Sequence, residues 1–304
     1  MTIQKNNQNI RKTNFYSRLF LLLVGLAALA LVVFAWSTIG QTSQPKLRVV
    51  MISINHGDSI LLQTSTGENA LIDAGYPEAG TLKYLKEHNI HHLDLLIATH
   101  GHEDHIGGIP EVIRSVQVDR FIENGQVVPS TYFDEYEKAL KETGLRRETV
   151  RTGGRINFGE FTFDVWNPSK VRPDTVNNNS IVLFLEAGKI RFLFTGDIEK
   201  PIEERLLNSN RDLHMDILKV AHHAGNTSSE TAFLEAVKPT VAIYSASNFF
   251  PGFPDENIID RLRLVGAKVY GTNFNGNITI DTDGKTYTVV PERGVPLLPF
   301  SVSD

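Results

Sequence analysis

ATHGHEDHIGG, residues 98–108, carries His100, His102, Asp104 and His105 within one short segment. It continues Asp94 to Thr99 (DLLIAT), an apolar run with the length and composition of a buried strand. His100 and His102, two apart in extended chain, point to one side. Asp104 and His105 follow in the turn or the first helical residues, and Gly107-Gly108 permits a sharp bend. Imidazole and carboxylate groups collected at a strand end form a ligand set for two nearby divalent ions. The competing account is a polar surface loop, and the position directly after a buried strand speaks against it.

Working outward, the chain reads as strands with helices between them. Leu47 to Ile54 (LRVVMISI), Ser59 to Gln63 (SILLQ) and Asn69 to Ile72 (NALI) are strand-like and separated by turn compositions. The second half uses the same grammar. Strands are expected at Phe161–Asn167, Ser180–Leu185, Arg191–Thr195, Met215–Ala221 and Val241–Ala246, with helices at 199–208, 229–237 and 256–265. Short strands near 268–270, 277–281 and 287–290 follow. Two similar halves of this kind suggest two sheets packed face to face with helices outside. Residues 130–145 (STYFDEYEKALKETGL) are spaced as an amphipathic helix between the halves and are expected to form a lid or rim.

The His-rich stretch resembles the H-x-H-x-D-H signature of the metallo-β-lactamase fold superfamily, and the resemblance extends over roughly residues 47–290. It implies an α/β fold, a four-layer αββα sandwich. Leu71-Ile72-Asp73-Ala74-Gly75 resembles the family's first motif, which makes Asp73 a support for the His loop. Phe194-Thr195-Gly196-Asp197 resembles the motif whose Asp bridges two metals, and Ala221-His222-His223-Ala224-Gly225 stands where the last His ligand is expected. The implied metal ligands are His100, His102, Asp104, His105, Asp197 and one of His222 and His223, the other facing substrate. Asp104 and His223 are the implied catalytic groups. More narrowly the chain is similar to the extracellular hydrolase domain of ComEC-type competence proteins and their stand-alone relatives. The features are Gly57-Asp58-Ser59, Asn177-Asn178-Asn179-Ser180, Asp216-Ile217-Leu218-Lys219 and Asn226-Thr227-Ser228-Ser229. Where many relatives have a further His the chain offers Asn177, Asn178 and Asn179, and Asn178 is the implied supporting or substrate-binding residue among them. Thr227, Ser228 and Ser229 are expected to open the next helix, with Ser228 or Ser229 as N-cap and free N–H groups as an anion seat. Relatives often carry Gly-His-Pro where this chain has Gly252-Phe253-Pro254. His56, on a loop near the site, and His88, His91, His92 and His214 are expected at the surface.

What the resemblance implies is a metal-dependent hydrolase, with a hydroxide between two divalent ions, Zn2+ or Mn2+, attacking a phosphodiester. Single-stranded DNA or a small phosphodiester is the expected substrate. Carboxylic esters, lactones and β-lactams are the alternatives on this fold, and a non-catalytic binding module with a residual metal site is the alternative outside enzymes.

Composition narrows the rest. Among 304 residues, 41% are hydrophobic and 21% charged, as in globular proteins, and none is cysteine. Disulfide scaffolds, thiolate metal sites and cysteine nucleophiles are excluded. Lys5, Arg11, Lys12, Arg18 and Lys46 are the only charged residues in 1–46, which leaves 25 basic against 35 acidic residues in the remainder. Such a body has no general attraction for nucleic acid. Leu19 to Trp36 is continuously apolar, extended without charge to Ile39, with positive residues on its N-terminal side. It reads as a membrane anchor that leaves the rest of the chain outside the cell, or as a signal peptide cleaved near Ala35-Trp36-Ser37. The expected organisation is therefore a basic cytoplasmic segment (1–18), an anchor or signal peptide (19–39), a tether (40–46), the hydrolase domain (47–291) and a tail (292–304).

Overall fold

Alternate residues of the first strand face two different cores. Val49 and Met51 pack with Ile60, Leu62, Ile72, Phe163 and Phe192 in one buried cluster. Val50 and Ile52 pack with Leu61, Leu71, Leu85 and Val112 in another. A strand buried on both faces is the interior of a layered α/β structure. In the computed structural model the described residues are 46–54 and 56–300, together with the helical positions Val24, Gly25 and Ala28. The rest of the expected anchor at 19–39 lies outside them. Among the described residues, no helix is long and apolar enough to cross a membrane.

The first half contains β1 (Leu47–Met51), β2 (Ile60–Thr64), β3 (Asn69–Ile72), α1 (Thr81–Glu87), β4 (His92–Leu93) and β5 (Leu95–Ala98). It continues through α2 (Glu103–Ile106), α3 (Ile109–Ser115), β6 (Gln117–Val118), β7 (Phe121–Glu123), α4 (Thr131–Thr143) and β8 (Arg147–Thr149). The second half opens with β9 (Arg155–Phe158), β10 (Phe161–Asn167), β11 (Val182–Ala187), β12 (Ile190–Phe194), α5 (Lys200–Leu207) and β13 (Ile217–Lys219). Then come α6 (Thr231–Val237), β14 (Val241–Tyr244), α7 (Glu256–Leu264), β15 (Lys268–Gly271), α8 (Thr272–Asn275), β16 (Ile278–Thr282) and β17 (Tyr287–Pro291).

Eight strands form one sheet in the order β17-β16-β1-β2-β3-β5-β7-β8, and seven form the other in the order β15-β14-β13-β12-β11-β10-β9. Their inner faces share the core that contains Phe163, Phe192, Phe194 and Ile243. On the outer face of the second sheet lie Ile202 and Leu206 of α5, Phe233 and Leu234 of α6, and Ile258 and Leu262 of α7. The outer face of the first sheet is covered by Leu85 of α1, Val112 and Ile113 of α3, and Tyr136 and Leu140 of α4. These are the expected four layers.

Two expectations change. The helix foreseen over 130–145 is α4, but it is not a lid. Phe133, Tyr136, Ala139 and Leu140 are buried in the outer layer, and Ser130 caps the helix by accepting from the Phe133 N–H. Its first turn meets Tyr76 through Tyr132, with ring centroids 6.4 Å apart. Residues 292–300 of the expected tail also pack back onto the domain. Val269 and Leu297 exchange backbone hydrogen bonds of 2.8 and 2.9 Å, and Arg263 Nε donates to the Leu298 carbonyl.

Candidate metal centre

β3 and β5 run parallel and end side by side, which sets Asp73 against Thr99. Asp73 Oδ1 accepts from the Thr99 N–H at 2.8 Å, and Oδ2 accepts from the Thr99 hydroxyl at 2.7 Å. The same Oδ2 lies 2.8 Å from His105 Nδ1. The carboxylate accepts a hydrogen bond from Nδ1–H, which keeps the proton on Nδ1 and leaves His105 Nε2 facing the site, 3.1 Å from Asp197 Oδ2. Asp73 thus ties His105 to the end of β5.

The second sheet supplies the other side. β12 delivers Gly196 and Asp197, whose N–H donates to Ser180 Oγ at 3.0 Å. β13 delivers the turn Ala221–Ala224, where His222, His223 and Ala224 have φ of 50, 53 and 60°. Three consecutive non-glycine residues in the left-handed region store strain, a pattern typical of functional sites. The strained turn separates the two histidines that the sequence leaves undivided. His223 is 1% exposed, its Nδ1 lies 2.9 Å from the Ser245 carbonyl, and its Nε2 lies 3.2 Å from Asp104 Oδ2 and 3.3 Å from Asp197 Oδ2. His222 turns away, with Nδ1 2.8 Å from Thr227 Oγ1 and Nε2 3.4 Å from Asn177 Nδ2.

Asp104, His105, Asp197 and His223 therefore offer ligand atoms that all lie within 4.8 Å of one another. His100 and His102 converge beside them. His100 Nε2 is 3.1 Å from His102 Nδ1 and 3.9 Å from Asp197 Oδ2. Asp197 thus stands between the two groups. Its Oδ1 and the Nε2 of His223 are buried and have no hydrogen-bond partner. A divalent cation satisfies such atoms, and the mixed His and Asp donors suit one, so the residues fit a metal centre.

The electrostatics agree. Burial opposes charge at every member, yet His223 and His105 together hold Asp197 well below the usual carboxylate range. Asp104 is likewise lowered against burial by His105 and His223. Burial alone would lower His223, but Asp197, Asp104 and Asp58 raise it to about 10. His105 is raised well above its ordinary value by Asp197, Asp73 and Asp104. His100, with burial and then His105 against its charged form, is held well below.

Four sequence expectations are corrected here. Asn178 does not face the centre: its side chain clamps Glu199, accepting from the Glu199 N–H and donating to Oε2, both at 3.0 Å. Asn177 faces His222 instead, with its Oδ1 buried and unpaired. Neither Ser228 nor Ser229 caps α6. Ser228 donates to the carbonyls of Ala221 and Gly225, and α6 begins after Glu230. The N–H groups foreseen as an anion seat are already taken, Ser229 and Glu230 donating to buried Glu203 at 2.6 and 2.9 Å. Finally, His56 is not a surface residue. It is 4% exposed, 3.7 Å from Asp104 Oδ2 by its Nε2, and burial with His223 nearby lowers it to about 4.

Sequence reasoning gives no role to two residues beneath the centre, Asp58 and Lys219. Lys219 Nζ lies 2.6 Å from Asp58 Oδ2 with both side chains buried, and Asp58 Oδ1 lies 3.6 Å from His223 Nδ1. The available signal is a lysine inside an otherwise apolar strand, two residues after Ile217. Gly57 is fixed by the same packing: it has φ of 96°, and a Cβ there would fall 1.8 Å from the Asp104 carbonyl oxygen.

A sequence profile of the Metallo-beta-lactamase superfamily matches residues 54–247, an interval that contains every ligand candidate above. ComE operon protein 3 of Bacillus subtilis is 29% identical over 282 residues, which cover 84% of this chain and 35% of the relative. The chain thus spans about a third of that relative's length. Exodeoxyribonuclease WalJ of Streptococcus pneumoniae is 24% identical over 271 residues, covering 82% of this chain and 96% of the relative. Among solved structures, the metallo hydrolase Igni18 of Ignicoccus hospitalis superposes with a TM-score of 0.54 at 18% identity, over 78% of this chain and 100% of that one. With its profile match covering most of the domain and its fold and ligand geometry agreeing, this chain belongs to the metallo-beta-lactamase superfamily.

Proposed function

We propose that the protein is a metal-dependent phosphodiester hydrolase that uses two divalent ions, zinc or manganese. The observation that carries the reading is the convergence of Asp104, His105, Asp197 and His223 within 4.8 Å, with His100 and His102 adjoining through Asp197. Asp104, His105, Asp197 and His223 would hold one ion, and His100, His102 and Asp197 the other. Divalent ions in such a place lower the pKa of water and stabilise charge developing on a phosphoryl oxygen.

The remaining work falls to the chain itself. Asp73 and the Ser245 carbonyl fix which nitrogens of His105 and His223 face inward. His222 takes the substrate-facing role, because the strained turn points it at Thr227 and Asn177 rather than at the ligand cluster. Burial lowers its pKa, so it meets substrate as a neutral ring that donates one hydrogen bond. Asn177 Oδ1, buried and unpaired, offers an acceptor beside it.

The name of one relative, an exodeoxyribonuclease, supports the substrate class. The apolar segment at 19–39, with positive residues on its N-terminal side, supports a domain held outside the cell membrane by its N-terminal region. Protease added to intact cells should then degrade the domain.

Activity tests the chemistry. Chelated protein should hydrolyse bis-p-nitrophenyl phosphate and a single-stranded oligonucleotide only after Zn2+ or Mn2+ is restored. Asp197→Asn should abolish both reactions, and Asp73→Asn should weaken metal binding about 10- to 100-fold. Hydrolysis of nitrocefin with no phosphodiester turnover would overturn the substrate class.

A further inference from the structure

An aromatic wall runs from solvent to the ligand cluster. Tyr132, at the start of α4, meets Tyr76 edge-on at 6.4 Å. Tyr76 stacks with Phe250 at 6.1 Å and 17°, and Phe250 stacks on His56 at 4.2 Å and 18°. His56 in turn lies 4.6 Å from the ring of His223. Phe253 closes the inner end, 5.5 Å from His56 and 5.4 Å from His222. A wall of this kind in a hydrophobic core would be shut off from water. Here Phe250 is 40% exposed, Tyr132 39%, and neighbouring Phe249 87%.

The opposite flank of His222 has a different chemistry. Asn177 ends a loop that also carries Arg172, and Arg172 acts electrostatically with Arg211 on Arg205. Among the described residues none of these three arginines has a carboxylate partner: Arg205 donates to Ser169 and Asn167, and Arg211 lies over Trp166. Burial, then these two like charges, lowers the Arg205 pKa, as expected for a cluster that lacks counter-charge. The Arg172 N–H donates to Asn179 Oδ1 at 2.9 Å, which ties this group to the turn that carries Asn177, and in a chain of net charge -5 three arginines without counter-charge are a local reversal of sign.

Exposed Phe250 and part-exposed Tyr76 and Phe253, together with guanidinium groups that have no carboxylate partner, complement a ligand that has flat rings and a phosphate backbone. Aromatic faces accept any base by stacking, and Arg groups take phosphate oxygens. Bases inside a duplex are stacked on their neighbours and offer no free face, which selects the single-stranded form. We propose that the Tyr76–Phe250–Phe253 wall is a stacking subsite for an unpaired nucleobase of a single-stranded polynucleotide, placed next to the metal centre. This deepens the phosphodiesterase reading and rests on it for turnover, though not for binding.

The test uses the metal-loaded full chain and two strands of equal length, one with bases and one abasic. Wild type should prefer the base-bearing strand, in kcat/KM, by about tenfold or more. Phe250→Ala should remove most of that preference through KM, Phe250→Trp should restore it, and Val290→Ala, an exposed change on edge strand β17, should leave it intact. Binding is read separately from the fluorescence of 2-aminopurine strands, which should be quenched by wild type and far less by Phe250→Ala. Quenching without hydrolysis of either strand would overturn the phosphodiesterase reading and leave the subsite standing. Equal kcat/KM for the two strands, or loss of both in parallel in Phe250→Ala, would overturn the subsite. Inhibition by choline with no discrimination between the strands would assign the aromatic wall to a quaternary ammonium group and overturn it too.

Discussion

Asp58 and Lys219 lie 2.6 Å apart beneath His223, each almost without solvent contact. Two charges taken out of water are tolerated only because each compensates the other, and Lys219 also donates to the Val220 carbonyl at 2.9 Å. Removing one partner leaves the other uncompensated. Lys219→Met should therefore destabilise the metal-loaded protein by about 3–5 kcal/mol in urea unfolding. Adding Asp58→Asn should recover much of that loss, and a double variant no better than the single one would show that Asp58 is not the group left exposed to the cost. The residue scale also shows what a sequence can and cannot display. His100, His102, Asp104 and His105 are legible because ligands that share one strand end must be near in sequence. The division of labour between His222 and His223 is not, since it depends on three left-handed residues whose strain is imposed by packing. His56 and Asn177 are hidden for the same reason: their importance comes from neighbours more than 40 residues away, Asp104 and His222.

At the scale of elements, the long buried strands are readable and the short ones are not. β5, β11 and β14 are apolar runs bounded by turns, whereas β7 and β8 have three residues each and β8 is wholly exposed. Pairing, rather than composition, makes them strands. The start of α6 is misread in the sequence for a related reason. Serines before a helix ordinarily cap it, but here a carboxylate from α5 reaches across and takes the free N–H groups. That carboxylate, Glu203, is fully buried, and burial outweighs its two donors to push its pKa up to about 7. The folded protein thus keeps a proton at Glu203 between pH 4.5 and about 7 that the unfolded chain has released. Stability from this group is greatest below the lower limit and declines as pH rises through the window, by about 3 kcal/mol at most. Glu203→Gln has no such proton. In urea unfolding at successive pH values, wild type should lose stability relative to Glu203→Gln from pH 4.5 to 7. Parallel curves would mean that α6's N–H groups, and not burial, set the state of Glu203.

At the scale of the domain, the candidate ligands come from both sheets. His100 follows β5 and His105 lies in α2, on the side of the first sheet, while Asp197 follows β12 and His223 follows β13, in the second. A cation held by this set cross-links the two halves of the sandwich, so its binding energy appears as resistance to unfolding wherever the unfolded chain binds it less well. At a free metal concentration 100 times the dissociation constant, the gain is about 2.7 kcal/mol, which for a domain of this size raises Tm by roughly 5–10 °C. The increment should also depend on pH. Metal-free, His223 is raised to about 10 and His105 well above its ordinary value, and both must lose a proton before they can serve as ligands. Protons compete with the cation, so the metal-induced rise in Tm should grow from pH 6 to pH 8, with acid released on metal addition in weakly buffered solution. His223→Ala should lose most of the increment. A rise of the same size in His223→Ala, or one that shrinks as pH increases, would place the stabilising cation somewhere other than between the two sheets.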